Sequence, residues 1–310
     1  MTAENLFEHI RAKQSFLCVG LDPDLSRFPD SILETDDPVY EFNKKIVDAT
    51  HEFAIAYKPN IAFYESLGSA GWWSLEKTVE YIRKKHPEIF LIADAKRGDI
   101  GNTSKKYAVA WFENFGFDAI TVAPYMGEDS VRPFLDHKGK WAVLLAVTSN
   151  SGAADFQFTR ESDTGLYLFE KVLREASSWG NRDNLMFVAG ATKPEMLKRT
   201  RAIVPDHFLL VPGIGAQGGT LSAVAEHGLN EQCGLLVNSS RAVIHADETI
   251  EFDRAAGDKA SIIRNEMSAI LKERKLICSK DSLPANSILK ALCFACLFFI
   301  FNRVLCYNKK

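Results

Sequence analysis

Eight apolar runs of strand length recur along this chain, separated by segments of helical periodicity. The runs are SFLCVGLD (15–22), FAIAYKPN (53–60), IFLIADAK (89–96), FDAITVAP (117–124), WAVLLAVT (141–148), LMFVAGAT (185–192), HFLLVPG (207–213) and CGLLVNSS (233–240). They are continuous rather than alternating. A strand with one face in water alternates apolar and polar residues, whereas a parallel strand covered on both faces stays apolar throughout. Between the runs, Val39, Phe42, Ile46, Ala49 and Phe53 fall on one helical face, as do Leu75, Val79 and Ile82 before the breaker His86-Pro87. Leu166, Phe169, Leu173 and Ala176 form a third stripe, and Ile263, Met267, Ile270 and Leu271 a last one.

Eight strand–helix alternations over about 270 residues predict an α/β fold of the (β/α)8 TIM-barrel type, whose usual size is about 250 residues. The rival open, doubly wound sheet needs a glycine fingerprint after its first strand, and GLDPDLSRF is not one. One catalytic barrel over residues 1–274 is therefore expected, with an extension over 275–310. The chain's 310 residues are 46% hydrophobic, ample for such a core, and a net charge of -3 leaves no basic footprint for nucleic acid. MTAENLFEHIRAKQS carries acids and no apolar core, so a secretory signal is not expected and a cytoplasmic location is. Cys18 and Cys233 sit inside apolar runs and read as buried thiols. Cys278, Cys293, Cys296 and Cys306 all lie in the extension, which is no disulfide framework. The seven histidines lack HxH or HExxH spacing, so no histidine-bound metal is expected.

In such a barrel chemistry belongs at the C-terminal ends of the strands. Asp22, Lys58, Asp94 with Lys96, Thr148-Ser149 and Ser239-Ser240-Arg241 all occur there. Residues two apart share a strand face, so Asp94 and Lys96 should both point into the mouth, within reach of Lys58 on the neighbouring strand. Asp99 lies past Gly98 and need not point the same way; Arg97, Lys105 and Lys106 read as solvated turn residues. VPGIGAQGGT (211–220) follows the seventh run and opens a helix, so its glycines let amides approach an anion, with Ser240 and Arg241 on the same side. The segment after the fifth run (149–165) is long, polar and glycine-bearing, as a mobile lid would be.

Asp94-x-Lys96-x-x-Asp99, followed by Ile100 and Thr103 and preceded by Lys58, resembles the orotidine 5′-phosphate decarboxylase family. The wording DAKRGDIGNT is similar to its bacterial branch. With GLDPD, YKPN, PGIGAQGG and SSRA at the matching strand ends, the resemblance runs from Asp22 through Arg241. It implies a carbon–carbon lyase that converts orotidine 5′-phosphate to UMP and CO2 in pyrimidine biosynthesis, with no metal or other cofactor. Lys96 would protonate C6, Asp94 would sit beside the departing carboxylate, and Lys58 and Asp99 would complete an alternating row. The resemblance also implies that Asp22 and Thr103 bind ribose, Ser149 reads the pyrimidine, and Gln217, Ser240 and Arg241 form the phosphate end. A homodimer is implied, with Asp99 and Thr103 reaching the partner's substrate. Magnesium-dependent sugar-phosphate lyases, such as 3-hexulose-6-phosphate synthase, carry the same DxKxxD but a glutamate at the end of strand two. Here Lys58 stands there, and an ammonium beside Asp94 repels a divalent cation. A barrel that only binds a phosphorylated ligand would leave the charged row vestigial, yet each of its positions is intact.

The extension departs from the family pattern. Its apolar stretch, Ala291 to Phe301, has 11 residues. A bilayer span takes about 20, which would draw in Lys290, Asn302 and Arg303, so a membrane partner is not expected. Cys293-x-x-Cys296 lacks both the βαβ context of a redox motif and a second pair for zinc.

Overall fold

The computed structural model describes residues 1–190, 194–213 and 220–277. Among these the eight apolar runs become eight strands: β1 (Leu17–Leu21), β2 (Ala54–Pro59), β3 (Phe90–Arg97), β4 (Ala119–Val122), β5 (Trp141–Val147), β6 (Leu185–Ala189), β7 (Leu209–Pro212) and β8 (Leu235–Ser239). They follow one another in order around a closed barrel, all neighbours parallel, and β8 returns to β1 with Leu17 opposite Val237. Every residue of β1, β2, β4, β6 and β8 is buried, which is why these runs show no alternation. All strands but β3 are shorter than their apolar runs; β3 keeps the length of its run, shifted one residue onward to Arg97. β4 stops short of Pro124, which has no N–H to give, and begins after Asp118, whose carboxylate accepts the Leu91 N–H at 2.9 Å and pairs with Arg83 at 2.7 Å.

The predicted stripes lie on the helices Pro38–Thr50, Gly68–Lys85, Leu168–Ser177 and Phe252–Glu273. Asp37 caps the first by accepting the Tyr40 N–H at 3.2 Å, and Pro38 occupies its first position, where a missing N–H costs nothing. Phe53 falls beyond that helix. Leu166 also lies outside its helix, because Tyr167 is the cap residue and Glu170 reaches back to accept the Tyr167 N–H at 2.9 Å.

A helix at the N-terminus, Ala3–Lys13, closes one end of the barrel. Trp141 at the start of β5 donates its indole N–H to the Met1 carbonyl at 2.9 Å, and Asp183, just before β6, accepts the Ala3 N–H at 2.8 Å. Lys13 donates to the carbonyl of Ala54, the first residue of β2, at 3.0 Å. All three anchors belong to strand starts, so the strand C-terminal ends are left for a site.

Cys18 and Cys233 are free and buried, and burial pushes both thiols up to about 12, out of reactive range. The Cys278, Cys293, Cys296 and Cys306 group, the apolar stretch 291–301 and Gln217 lie outside the described residues. Among the described residues no helix is long and apolar enough to cross a membrane.

Gly20 in β1 makes room for the turn after β8. A Cβ there would fall inside the radius of Ser240 Oγ and 3.3 Å from the Ser240 Cα. Gly20→Ala should therefore destabilise the protein by about 1–3 kcal/mol through overpacking. A denaturant melt with an unchanged midpoint would contradict the close packing of β1 against this turn.

Candidate active site

Three charges meet at the mouth of the barrel. Lys58 Nζ lies 2.8 Å from Asp94 Oδ2, and Lys96 Nζ lies 2.6 Å from Asp94 Oδ1, so one carboxylate is held between two ammonium groups. The strands position them simply: β2 brings Lys58 to its end, β3 brings Asp94 and Lys96 two residues apart, and Asn60 bridges to Asp94 in the same register. The two lysines differ in setting. The Lys58 side chain is 6% exposed and that of Lys96 52% exposed.

Burial alone would lower the pKa of Lys58, but the carboxylates of Asp94 and Asp22 outweigh it and hold the ammonium well above the usual lysine range. For Asp94, burial would raise the pKa. The two lysines overcome that too, and the carboxyl sits well below the usual aspartate range. Both groups are thus locked in their charged forms.

The backbone here is irregular. Ala93 faces Ile120 and Arg97 faces Val122, so four steps along β3 match two along β4. This bulge contains Asp94 and Lys96, and Lys96 has φ +47°. For a residue with a side chain that left-handed conformation costs about 1–2 kcal/mol, and bulges of this kind re-aim side chains beside active sites.

A cavity of about 230 Å³ opens beside the charged row. Asp22, Lys58, Asn60 and Asp94 line it from β1, β2 and β3; Gly213, Asn238, Ser240 and Arg241 line it from β7 and β8. Asp22 Oδ1 and Asn238 Oδ1 are buried acceptors with no donor among the described residues. A ligand bearing hydroxyl or N–H groups can supply those donors. Arg241 is exposed and begins the short helix Arg241–Ile244, leaving its guanidinium available to an anion. Among the described residues no group of three or more His, Cys, Asp or Glu side chains is placed to hold a metal ion.

Other candidates stand apart within the chain. Asp99 accepts the Ile100 N–H at 2.7 Å and makes no ion pair with Lys58 or Lys96 of its own chain, so one chain brings together three members of the row, the fourth being the one expected to come from a partner subunit. Thr103 is exposed in the first turn of the helix Gly101–Val109. Ser149 is half-buried beyond β5, its backbone packed against Gly190, and does not line the cavity. Arg97 is not a solvated turn residue: it pairs with Glu65 and lies over the rings of Tyr107 and Trp111, 5.6 and 5.7 Å from their centroids. Lys105 and Lys106 are exposed as expected, but on the helix Gly101–Val109 and not in a turn. The base of the segment expected to form a lid is tied down, because Gln157 accepts the Thr148 N–H and donates to the Thr148 hydroxyl, both at 2.8 Å. Asn60, Thr121 and Asn238 were missed by the sequence reading. Their signal was slight: a polar residue inside or just past an apolar run.

Comparison with known proteins gives the same result by several routes. The model of the Orotidine 5'-phosphate decarboxylase / HUMPS family matches residues 15–252. The orotidine 5'-phosphate decarboxylase of Porphyromonas gingivalis is 56% identical over 277 residues, covering 89% of this chain and all of the relative. That of Phocaeicola vulgatus is 55% identical over 271 residues, 87% of this chain and 99% of its own length. Among solved structures, Leishmania donovani OMP decarboxylase superposes with a TM-score of 0.74 at 37% identity, covering 87% of this chain and 98% of that one.

The charge lock has a pH signature. Asp94 has a folded pKa below its unfolded one, so its contribution to stability is present above the usual aspartate range and is lost as pH falls through the depressed value. Lys58 is shifted the other way; its contribution is present below the usual lysine range and is lost as pH rises through the elevated value. In a 13C NMR titration the Asp94 carboxyl should stay ionised as pH falls through the usual aspartate range, and Lys58→Met should move its midpoint upward. A wild-type midpoint at or above the usual aspartate value would contradict the lock.

Proposed function

This chain belongs to the orotidine 5'-phosphate decarboxylase / HUMPS family, and on that premise we propose that it converts orotidine 5′-phosphate to UMP and CO2, a step of pyrimidine biosynthesis. The observation that carries the reading is Asp94 clamped between Lys58 and Lys96 beside a cavity edged by Arg241. Loss of CO2 from C6 of the pyrimidine leaves a carbanion that the ring does not delocalise. What such a step needs from a protein is fixed charge at the reacting carbon.

Lys96, the more exposed ammonium, stabilises the developing carbanion and delivers the proton to C6. Asp94 lies beside the departing carboxylate; its like charge disfavours bound substrate more than the transition state, in which negative charge has moved to C6. Lys58, buried and locked in its charged form, holds Asp94 ionised and in place. The unpartnered Asp22 Oδ1 supports a sugar hydroxyl as its donor. Arg241, with Ser240 and Gln217, takes the 5′-phosphate, whose binding energy is remote from C6 and serves to orient the ring. Ser149 reads the pyrimidine.

Asp99 and Thr103 act in a second protomer's site. Their standing apart from the cavity supports this, as do the exposed apolar Ile100, next to Asp99, and Met126, beside Gly98, 57% and 45% exposed. A homodimer is therefore the working unit. A cytoplasmic location fits the free thiols Cys18 and Cys233. The magnesium-dependent lyase reading is disfavoured by Lys58, whose ammonium fills the place next to Asp94.

Purified protein should consume orotidine 5′-phosphate, followed by its absorbance, at an unchanged rate in EDTA. No turnover would refute the decarboxylase reading, and an EDTA-sensitive rate would favour a metal-dependent relative. Lys96→Ala should lose at least about 10²–10⁴-fold in kcat, the range for a positioned proton donor, while UMP binding persists; retained turnover removes Lys96 from that role. Arg241→Ala should raise KM about 10–100-fold, matching charged hydrogen bonds worth about 1.5–3 kcal/mol. An unchanged KM would take Arg241 out of the phosphate end.

A further inference from the structure

We propose that Thr121 is the positioning residue for Lys96, its single hydroxyl tying the lysine's backbone to the Asp94 carboxylate. This rests on Lys96 acting on the nucleotide as described above.

Thr121 lies in β4 between Ile120 and Val122, the two residues that pair with the ends of the β3 bulge. It is 1% exposed, a polar side chain in an otherwise apolar strand. In a regular parallel ladder the β3 amides would meet β4 carbonyls. The bulge breaks that pattern, and the Lys96 N–H donates instead to Thr121 Oγ1 at 2.8 Å. The same hydroxyl lies 3.1 Å from Asp94 Oδ1, while the Ala93 carbonyl is 3.5 Å away. A hydroxyl has one proton and two lone pairs, so it accepts from Lys96 and donates to the nearer carboxylate oxygen. That oxygen is also the one Lys96 Nζ contacts at 2.6 Å. The circuit is closed: lysine amide to threonine, threonine to aspartate, aspartate back to the lysine's own ammonium.

The closure explains how Lys96 persists in the left-handed region at φ +47°. A non-glycine residue stays there when its surroundings over-determine it, and the amide and the ammonium are both held, through one hydroxyl and one carboxylate oxygen. Without the hydroxyl, the Lys96 N–H loses its acceptor, the bulge is free to relax, and the ammonium shifts from the point where the carbanion forms. The groups read above as the phosphate end, Ser240 and Arg241, and the Asp22 acceptor line the cavity from β8 and β1, and none of them is a member of this circuit.

The test is steady-state kinetics on full-length Thr121→Val and Thr121→Ser with orotidine 5′-phosphate. Thr121→Val, close in shape and lacking only the hydroxyl, should lower kcat about 10–100-fold with KM and UMP affinity within about 3-fold of wild type. Thr121→Ser should stay within about 3-fold in kcat. The inference is overturned if Thr121→Val keeps wild-type kcat, if Thr121→Ser is equally slow, or if the loss appears in KM instead. Should Thr121→Val not fold, Thr121→Ala removes the same hydroxyl without a buried methyl in its place and is judged by the same criteria; failure of both to fold would make the residue structural and overturn the inference. An inactive wild type would overturn the decarboxylase reading and this inference together, whereas an active wild type beside an unaffected Thr121→Val overturns the inference alone.

Discussion

One buried ion pair governs this molecule. Lys58 and Asp94 meet at 2.8 Å where water is nearly excluded, and neither charge is tolerable there without the other. Deleting one partner of such a pair costs about 3–5 kcal/mol, mostly because the remaining charge is stranded. The surroundings make the pair affordable: Asp22 adds negative charge near Lys58, and Lys96 and Thr121 satisfy the second oxygen of Asp94. Such a site needs no rearrangement when charge moves during a reaction, because its charges are already fixed.

The barrel provides what that arrangement requires. Strands buried on both faces are stiff, and their ends hold side chains at fixed separations. The N-terminal helix seals the opposite end through Trp141, Asp183 and the Ala54 carbonyl. The cavity's polar lining from β7 and β8, with Arg241 at its edge, lies across from the charged row on β2 and β3. Distance between them is useful: a decarboxylation with a slow uncatalysed rate demands on the order of 20 kcal/mol of barrier reduction, and remote binding energy can be applied to orientation at the reacting carbon.

Much of the fold was legible in the sequence because strand burial leaves a local trace. The run WAVLLAVT became β5 over Trp141–Val147, and the Val39–Phe42–Ile46 stripe became the buried face of the helix Pro38–Thr50. The charged row was legible in part: alternation predicts Asp94 and Lys96 on one strand face, and the two do meet, but they do so inside the β3 bulge, where regular alternation is broken. Arg97 was misread, since adjacency to a strand end says nothing of the two rings and the carboxylate that await it from other helices. Asp99 belongs to the motif in the sequence yet lies outside the row in the folded chain, because the backbone turns after Gly98 before the helix Gly101–Val109 begins.

From the sequence alone came the alternating order of strands and helices, the closed barrel it implies, and the residues carried to the strand ends; each follows from periodicity, which is a property of neighbours along the chain. Tertiary structure alone decided which lysine is buried, where β3 bulges against β4, and that Thr121 accepts the amide of Lys96. Those depend on strand register and on side chains arriving from distant segments. The β3 bulge exists only relative to β4, so its position is a property of the paired strands and not of either run by itself.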